Sequence, residues 1–132
     1  MRAMRNTAQI FSLRQTPEST PVLQTRMMTN RLVIANTDGS HVIPFNDIRR
    51  CMSDGNYCKI LLKSGREIIA SKTLKYVEAR LPEWLFARVH QSHVVNRDDI
   101  RFIGTDHIIL SDDTKIPVSR GRKSYVASLF KS

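Results

Sequence analysis

Beyond a polar N-terminal stretch, short runs of apolar and β-branched residues alternate with polar turns. Residues 31–35 and 41–43 are two such runs, and Asp38-Gly39 between them is a strong hairpin signal because glycine takes positive φ at no steric cost. Similar turns follow at Gly55 and Gly65, each between two further apolar runs. The spacing of these turns predicts antiparallel β-structure.

The same pattern continues towards the C-terminus, with one interruption in the middle of the chain. The further predicted strands are residues 47–52, 57–62, 66–70, 100–103, 107–110 and 115–118. Together with two short helices, these strands predict a fold that is mainly β.

The interruption has the period of a helix. Leu74, Val77 and Leu81 fall at i, i+3 and i+7, which places them on one helical face, and Ser71 or Thr73 can cap its start. A proline directly after this run ends the predicted helix. Residues 86–89 are expected to continue its apolar face.

A second short helix is predicted at the C-terminal end. Ser119 can cap it, and its apolar side would be formed by Tyr125, Val126, Leu129 and Phe130.

The length of 132 residues fits one domain with a tail. Residues 1–29 are rich in Gln, Thr, Ser and Pro, so we predict a flexible tail there and a folded domain over residues 30–132. The two cysteines, Cys51 and Cys58, are too few for a disulfide scaffold. No apolar run approaches the roughly 20 residues of a membrane-spanning helix, so we expect a cytoplasmic protein.

The charge balance points to an anionic partner. Lys and Arg number 21 against 12 Asp and Glu, which gives a net charge of +9. The excess is spread along the chain rather than confined to the tail. It predicts a polyanion such as nucleic acid, although a basic protein without that role has a similar composition.

Little in the sequence suggests an enzyme. His90 and His93 lie three residues apart, but no third metal ligand follows at a suitable spacing. Ser92 beside His93 lacks the glycine-rich elbow of a serine nucleophile, and the glycines are isolated turn residues. We therefore predict no catalytic residues, no metal and no cofactor.

The cations that stand out lie at turns and helix starts. Arg120, Arg122 and Lys123 surround the predicted start of the last helix, and a guanidinium fork there can match O6 and N7 of guanine. Lys72 and Lys75, beside the middle helix, suit phosphate groups as point charges. The competing interpretation pairs Arg120 with a turn carboxylate such as Asp112.

Two further turns carry side chains that can both donate and accept hydrogen bonds. Asn56 and Gln91 carry amides, which can bind adenine through two hydrogen bonds, and Tyr57 can stack on a base or contact a phosphate. Asn56 can equally serve only as a turn residue.

Three segments in the right order resemble one family. They are L-P-E-W-L-F-A-R-V-H-Q-S-H-V-V-N over residues 81–96, I-P-V-S-R over residues 116–120, and the aromatic turn G-N-Y at residues 55–57. Their combination resembles the LytTR (LytR/AlgR-type) DNA-binding domain. The resemblance implies small antiparallel sheets in an elongated fold, with loops that enter successive major grooves and no helix-turn-helix.

The resemblance also implies roles for individual residues. Base-contacting loops would fall at Asn56-Tyr57, at Gln91, where many relatives carry arginine, and at Arg120. His90 and Asn96 would have framework roles. The expected phosphate contacts are Lys59, Lys72, Lys75, Arg88, Ser92, Arg122 and Lys123.

Most members of that family attach the domain to a receiver or another sensory module. Here the segment before it reads as a linker, so the expectation is a stand-alone regulator or one controlled by a separate regulatory protein. Binding as a dimer on repeated half-sites of double-stranded DNA is also implied.

The prediction is therefore a transcriptional regulator that binds double-stranded DNA sequence-specifically. One alternative is a protein–protein interaction module with a basic surface. Another is a single-stranded nucleic-acid binder, which needs exposed aromatic platforms. That alternative is disfavoured if the core explains the aromatics, here Trp84, Phe86, Tyr125 and Phe130.

Overall fold

The computed structural model describes residues 30–130, so the predicted tail over residues 1–29 lies outside the described residues. Within that part of the chain there are ten strands and two short helices. The strands are β1 (Arg31–Asn36), β2 (Gly39–Pro44), β3 (Ile48–Asp54), β4 (Tyr57–Leu62), β5 (Glu67–Ala70), β6 (Phe86–His90), β7 (His93–Asn96), β8 (Ile100–Ile103), β9 (His107–Leu110) and β10 (Lys115–Pro117). The helices are α1 (Leu74–Glu78) and α2 (Lys123–Ser128), and 3₁₀ turns occupy Phe45–Asp47, Arg97–Asp99 and Arg120–Arg122.

The strands form three antiparallel sheets, which confirms the predicted fold class. A five-stranded sheet has the order β5-β4-β3-β7-β6, a hairpin pairs β1 with β2, and a three-stranded sheet has the order β10-β9-β8. The large sheet joins the three-stranded meander β3–β4–β5 to the β6–β7 hairpin through β3 and β7, where Cys51 lies opposite Val94. Both cysteines are buried and free.

The first hydrophobic core lies between the large sheet, the β1–β2 hairpin and α1. Leu74, Val77 and Leu81 are all buried in it, as their spacing predicted. Thr73 caps α1, since its side chain accepts a hydrogen bond from the Tyr76 amide at 3.0 Å. The α1 face therefore closes one side of the sheet.

The second core lies on the other face of the β6–β7 hairpin. Val94 belongs to the first core, whereas its neighbour Val95 packs with Ile108, Ile116 and Val126 in the second. Successive strand residues point to opposite faces, so this hairpin is buried on both sides. The sequence predicted that residues 86–89 continue the apolar face of the helix. They form a strand instead, because both of its faces are buried.

Several aromatic side chains lie outside the cores, contrary to the prediction. Of the four assigned to core packing only Phe86 is buried, whereas Trp84 is 74% exposed and Phe130 57% exposed. Tyr125 is also exposed, because the short helix α2 buries only Val126 fully. Trp84 precedes the strand, and the residues after it take the buried positions. These aromatics therefore no longer argue against single-strand binding.

The start of α2 also differs from the prediction. Ser119 makes no side-chain capping hydrogen bond. The chain instead passes through the 3₁₀ turn Arg120–Arg122, and α2 begins at Lys123. The hydroxyl is thus not what fixes this turn.

Asn96 has the framework role that the resemblance implied. Its side chain is fully buried, donates to the Ile48 carbonyl at 2.9 Å and accepts from the Asp98 amide at 2.9 Å. It thereby joins the end of β7 to the start of β3 and to the following 3₁₀ turn. None of the helices in residues 30–130 is long and apolar enough to cross a membrane.

Candidate nucleic-acid interface

Two of the predicted base-contacting turns lie side by side at one end of the large sheet. Gly55-Asn56 connects β3 to β4, and Gln91-Ser92 connects β6 to β7. Because β3 pairs with β7, both turns emerge from the same end, and the Ser53 amide donates to the Ser92 carbonyl at 3.0 Å. The spacing between strands separates the two turns by roughly 10 Å.

The turn that carries Arg120 lies next in this row. The Ser119 amide donates to the Val89 carbonyl at 3.0 Å, on the free edge of β6. Val89 is two residues from Gln91, so Arg120 follows the Gln91 turn at a distance of roughly one to two strand spacings. We call the three turns around Gly55-Asn56, Gln91-Ser92 and Arg120 the reading edge.

The predicted base-contacting side chains on the reading edge are available to a ligand. Asn56, Tyr57, Gln91 and Arg120 are all exposed. None of these side chains has a hydrogen-bond or ion-pair partner among residues 30–130. In particular, Asp112 does not pair with Arg120, because it lies 3.7 Å from Arg49 instead.

The Gly55-Asn56 turn is shaped by its glycine. Gly55 adopts φ 63°, a conformation that residues with a Cβ rarely take. Asp54 and Tyr57 pair directly across the turn, so β4 begins with the exposed Tyr57 ring. Lys59 follows on the same face and lies 3.7 Å from the Asp54 carboxylate.

The Gln91-Ser92 turn is held by side chains instead. Arg88 donates from Nε to the His90 carbonyl at 2.8 Å and from Nη2 to the Gln91 carbonyl at 2.6 Å. Its Nη1 forms an ion pair with Glu78 of α1. His90 contributes its ring, since Nδ1 accepts from the Ser92 amide at 3.0 Å.

Arg88 was assigned to a phosphate by sequence reasoning, which missed these internal contacts. No signal in the sequence shows that an arginine three residues before a turn will reach back to its carbonyls. The structure adds a framework contact for His90, as the resemblance implied.

The two histidines of the hairpin lie close together. Their ring centroids are 5.4 Å apart, and within the described part of the chain no group of three or more potential ligands converges. Burial, followed by the nearby His90 and Arg50, lowers the pKa of His93 from 6.5 to about 4. The His93 ring is therefore neutral near pH 7.

Four of the seven predicted phosphate-contacting residues form two groups around the reading edge. Strand β5 ends at Ala70, opposite Cys58, so Lys72 follows at the same end of the sheet as the Gly55 turn. Its ammonium lies 4.9 Å from the centre of the Tyr76 ring, and Lys75 is exposed on α1. The second group, at the opposite end of the row, is Arg122 and Lys123 beside Arg120.

A comparison with family models finds one match over most of the domain. The model described as the LytTR DNA-binding domain matches residues 38–131. This range contains all three turns of the reading edge.

Curated regulators are also similar to parts of the chain. A haem-containing CO-sensing transcriptional regulator, RcoM 2 of Paraburkholderia xenovorans, is 30% identical over 94 residues, which cover 67% of this chain and 35% of the relative. The sensory transduction protein LytT of Bacillus subtilis is 46% identical over 55 residues, 38% of this chain and 23% of the relative. The chain thus spans about a third or less of the relatives' own length.

A solved structure has the same fold. The LytTR DNA-binding domain of a response regulator from Bacillus cereus superposes with a TM-score of 0.67. The match covers 79% of this chain and 99% of that one, at 22% identity.

Proposed function

Because the chain belongs to the LytTR DNA-binding domain family, we propose that it is a transcriptional regulator that reads double-stranded DNA with its reading edge. The supporting observation is that two exposed turns at one end of the large sheet are followed in a row by a third, which contacts the β6 edge of that sheet. Their side chains have no competing partner among the described residues. The row extends over roughly 17 Å, about half of one helical repeat of duplex DNA.

In this proposal each turn contributes a different kind of contact. The Arg120 fork donates to O6 and N7 of a guanine, and the Gln91 amide pairs with an adenine edge. Asn56 contacts a base, and Tyr57 contacts a base or the adjoining backbone. No catalytic step is involved.

Phosphate groups flanking the bases are held by the surrounding polar side chains. The proposed contacts are Lys59, Lys72, Lys75, Ser92, Arg122 and Lys123. Arg88 is left out of this set because each of its three side-chain nitrogens already donates within the chain. Each neutralised phosphate adds about 0.9 to the slope of log affinity against log salt concentration.

The test of base reading compares two arginines at opposite ends of the large sheet. Arg120→Ala should lose about 1–3 kcal/mol of discrimination between a selected and a scrambled duplex. Arg66→Ala removes the same charge at the β4–β5 turn, far from the reading edge, and should leave discrimination unchanged. Fluorescence anisotropy titrations at two salt concentrations measure both.

Equal losses in the two variants would contradict base reading by Arg120. Stronger binding of a single strand than of its duplex would favour the single-strand alternative instead. Retention on an acidic protein partner, with no binding to either nucleic acid, would favour the interaction module.

Regulation is also part of the proposal. The relatives are described as a CO-sensing regulator and a sensory transduction protein, so we propose that a signal or a separate regulatory protein controls binding. Occupancy as a dimer on repeated half-sites should appear in sedimentation as two chains per two-site duplex. The proposed target places the protein in the bacterial cytoplasm.

A further inference from the structure

The Arg88 side chain connects three parts of the domain. It starts from β6, opposite Val94, and is only 17% exposed. From there its guanidinium reaches the carbonyls of His90 and Gln91 and the carboxylate of Glu78 on α1. One planar group therefore links the Gln91-Ser92 turn to a helix from another part of the chain.

The geometry of these contacts suits a positioning role. A guanidinium presents its donors in a fixed fork, so two carbonyls bound to it are held at a fixed separation and orientation. The two carbonyls belong to consecutive residues, and the second is that of Gln91 itself. These carbonyls belong to the two peptide groups that flank the Gln91 Cα, so fixing both fixes the direction in which the Gln91 side chain leaves the backbone.

The His90 ring holds the Ser92 amide, but its hydrogen bond does not reach the Gln91 carbonyl that Arg88 binds. Neither Gln91 nor Ser92 is a glycine or has positive φ. The edge strand β6 has a register irregularity between Arg88 and His90, which interrupts the regular ladder at Val89, and pairing resumes only at His90 and His93 beside the turn. The side-chain contacts of Arg88 bridge this irregularity, since they run from Arg88 on one side of it to the carbonyls of His90 and Gln91 on the other.

We propose that Arg88 is a positioning residue for DNA recognition, and that Glu78 orients it. Arg88 holds the Gln91 turn in its reading conformation and does not itself bind phosphate. The carboxylate of Glu78 offsets the charge of the partly buried guanidinium and directs Nη1 away from the turn. This inference rests on the proposed function.

The arrangement has a consequence for the phosphate-contacting helix. Lys75 and Glu78 lie three residues apart on α1. The Arg88–Glu78 ion pair thereby fixes the helix that carries a phosphate contact relative to a turn that contacts a base. A duplex whose phosphate is bound by Lys75 therefore has its bases positioned for contact with the Gln91-Ser92 turn.

The experiment separates positioning from phosphate binding. Arg88→Gln and Lys75→Gln each remove one positive charge. Arg88→Gln should reduce the ratio of specific to scrambled duplex affinity roughly tenfold, the effect expected when hydrogen bonds from a charged group are lost, and leave the salt slope unchanged. Lys75→Gln should lower the slope by about 0.9 and weaken both duplexes similarly.

Two further variants test the geometry. Arg88→Lys keeps the charge, but one ammonium cannot reproduce the fork, so discrimination should recover only in part. Glu78→Gln should cause a smaller loss, roughly two- to threefold, because that carboxylate is partly exposed. Hydrogen exchange at the Ser92 amide, measured without DNA, should accelerate in Arg88→Gln.

Each outcome decides the question. Unchanged discrimination, a salt slope lowered by about 0.9, or full recovery in Arg88→Lys would overturn the positioning role. If the wild-type protein fails to distinguish duplexes, the proposed function fails, and the exchange rate decides whether Arg88 holds the turn. An unchanged exchange rate at the Ser92 amide in Arg88→Gln would then show that Arg88 does not hold the turn.

Discussion

The two turns that lie side by side on the reading edge obtain their shapes in different ways. Gly55-Asn56 relies on the positive φ of its own glycine. Gln91-Ser92 has no such residue and is held by Arg88, Glu78 and the His90 ring. Similar hairpin connections in one sheet can thus be specified within two residues or by contacts from distant segments.

The largest effect on stability should come from the turn that is specified locally. Gly55→Ala forces a residue with a Cβ into φ 63° and should lower the free energy of unfolding by about 1–3 kcal/mol. Gly121→Ala is the matched control, because Gly121 has open space around it and no positive φ. Urea unfolding measures both, and equal stability of the two variants would remove the conformational argument.

Acid should affect the Gln91-Ser92 turn through its neighbour His93. The folded-state pKa of about 4 lies below the unfolded value of 6.5, so unfolding takes up a proton between these pH values. Stability is therefore complete above pH 6.5 and falls as the pH approaches 4, by roughly 1–2 kcal/mol after discounting for partial exposure.

His93→Gln removes this titration and should flatten the pH dependence of unfolding in that window. The comparison requires urea unfolding of both proteins at several pH values between 6.5 and 4. A wild-type slope that persists in the variant would assign the acid sensitivity to other groups.

A smaller effect should come from the cap of α1, the helix whose Glu78 contacts Arg88 beside the Gln91-Ser92 turn. Thr73→Ala loses the hydrogen bond to the Tyr76 amide and should cost about 1 kcal/mol, whereas Thr73→Ser keeps an acceptor there. Since Glu78 lies on the same helix, exchange at the Ser92 amide should also accelerate. Equal acceleration at the Gly55 turn would show that the two turns are not independently supported.

This difference explains what the sequence could and could not predict. Hairpin turns with glycine and the helix face of α1 were predictable because their signals lie within a few neighbouring residues. Strand β6 was missed because it is buried on both faces and so lacks the alternation that marks a half-buried strand. The exposure of Trp84 was missed for a related reason. The apolar run that contains Trp84 and Phe86 does not show at which residue the buried strand begins.

The candidate site divides in the same way. The residue types at Asn56, Gln91 and Arg120 could be identified from the chain alone. Their alignment in one row depends on the β3–β7 pairing and on the Ser119–Val89 hydrogen bond, which join segments distant in sequence. The ion pair of Arg88 with Glu78 depends on where α1 packs, so the sequence alone could not predict it either.

The β6–β7 hairpin contributes residues to both hydrophobic cores, with Val94 in the first and Val95 in the second. Cleaving the chain after β7 would therefore leave an N-terminal fragment with one apolar face of the hairpin exposed to solvent. The C-terminal fragment would lose the hairpin residues that complete the second core. Neither fragment should fold on its own, and the domain should unfold in a single cooperative step.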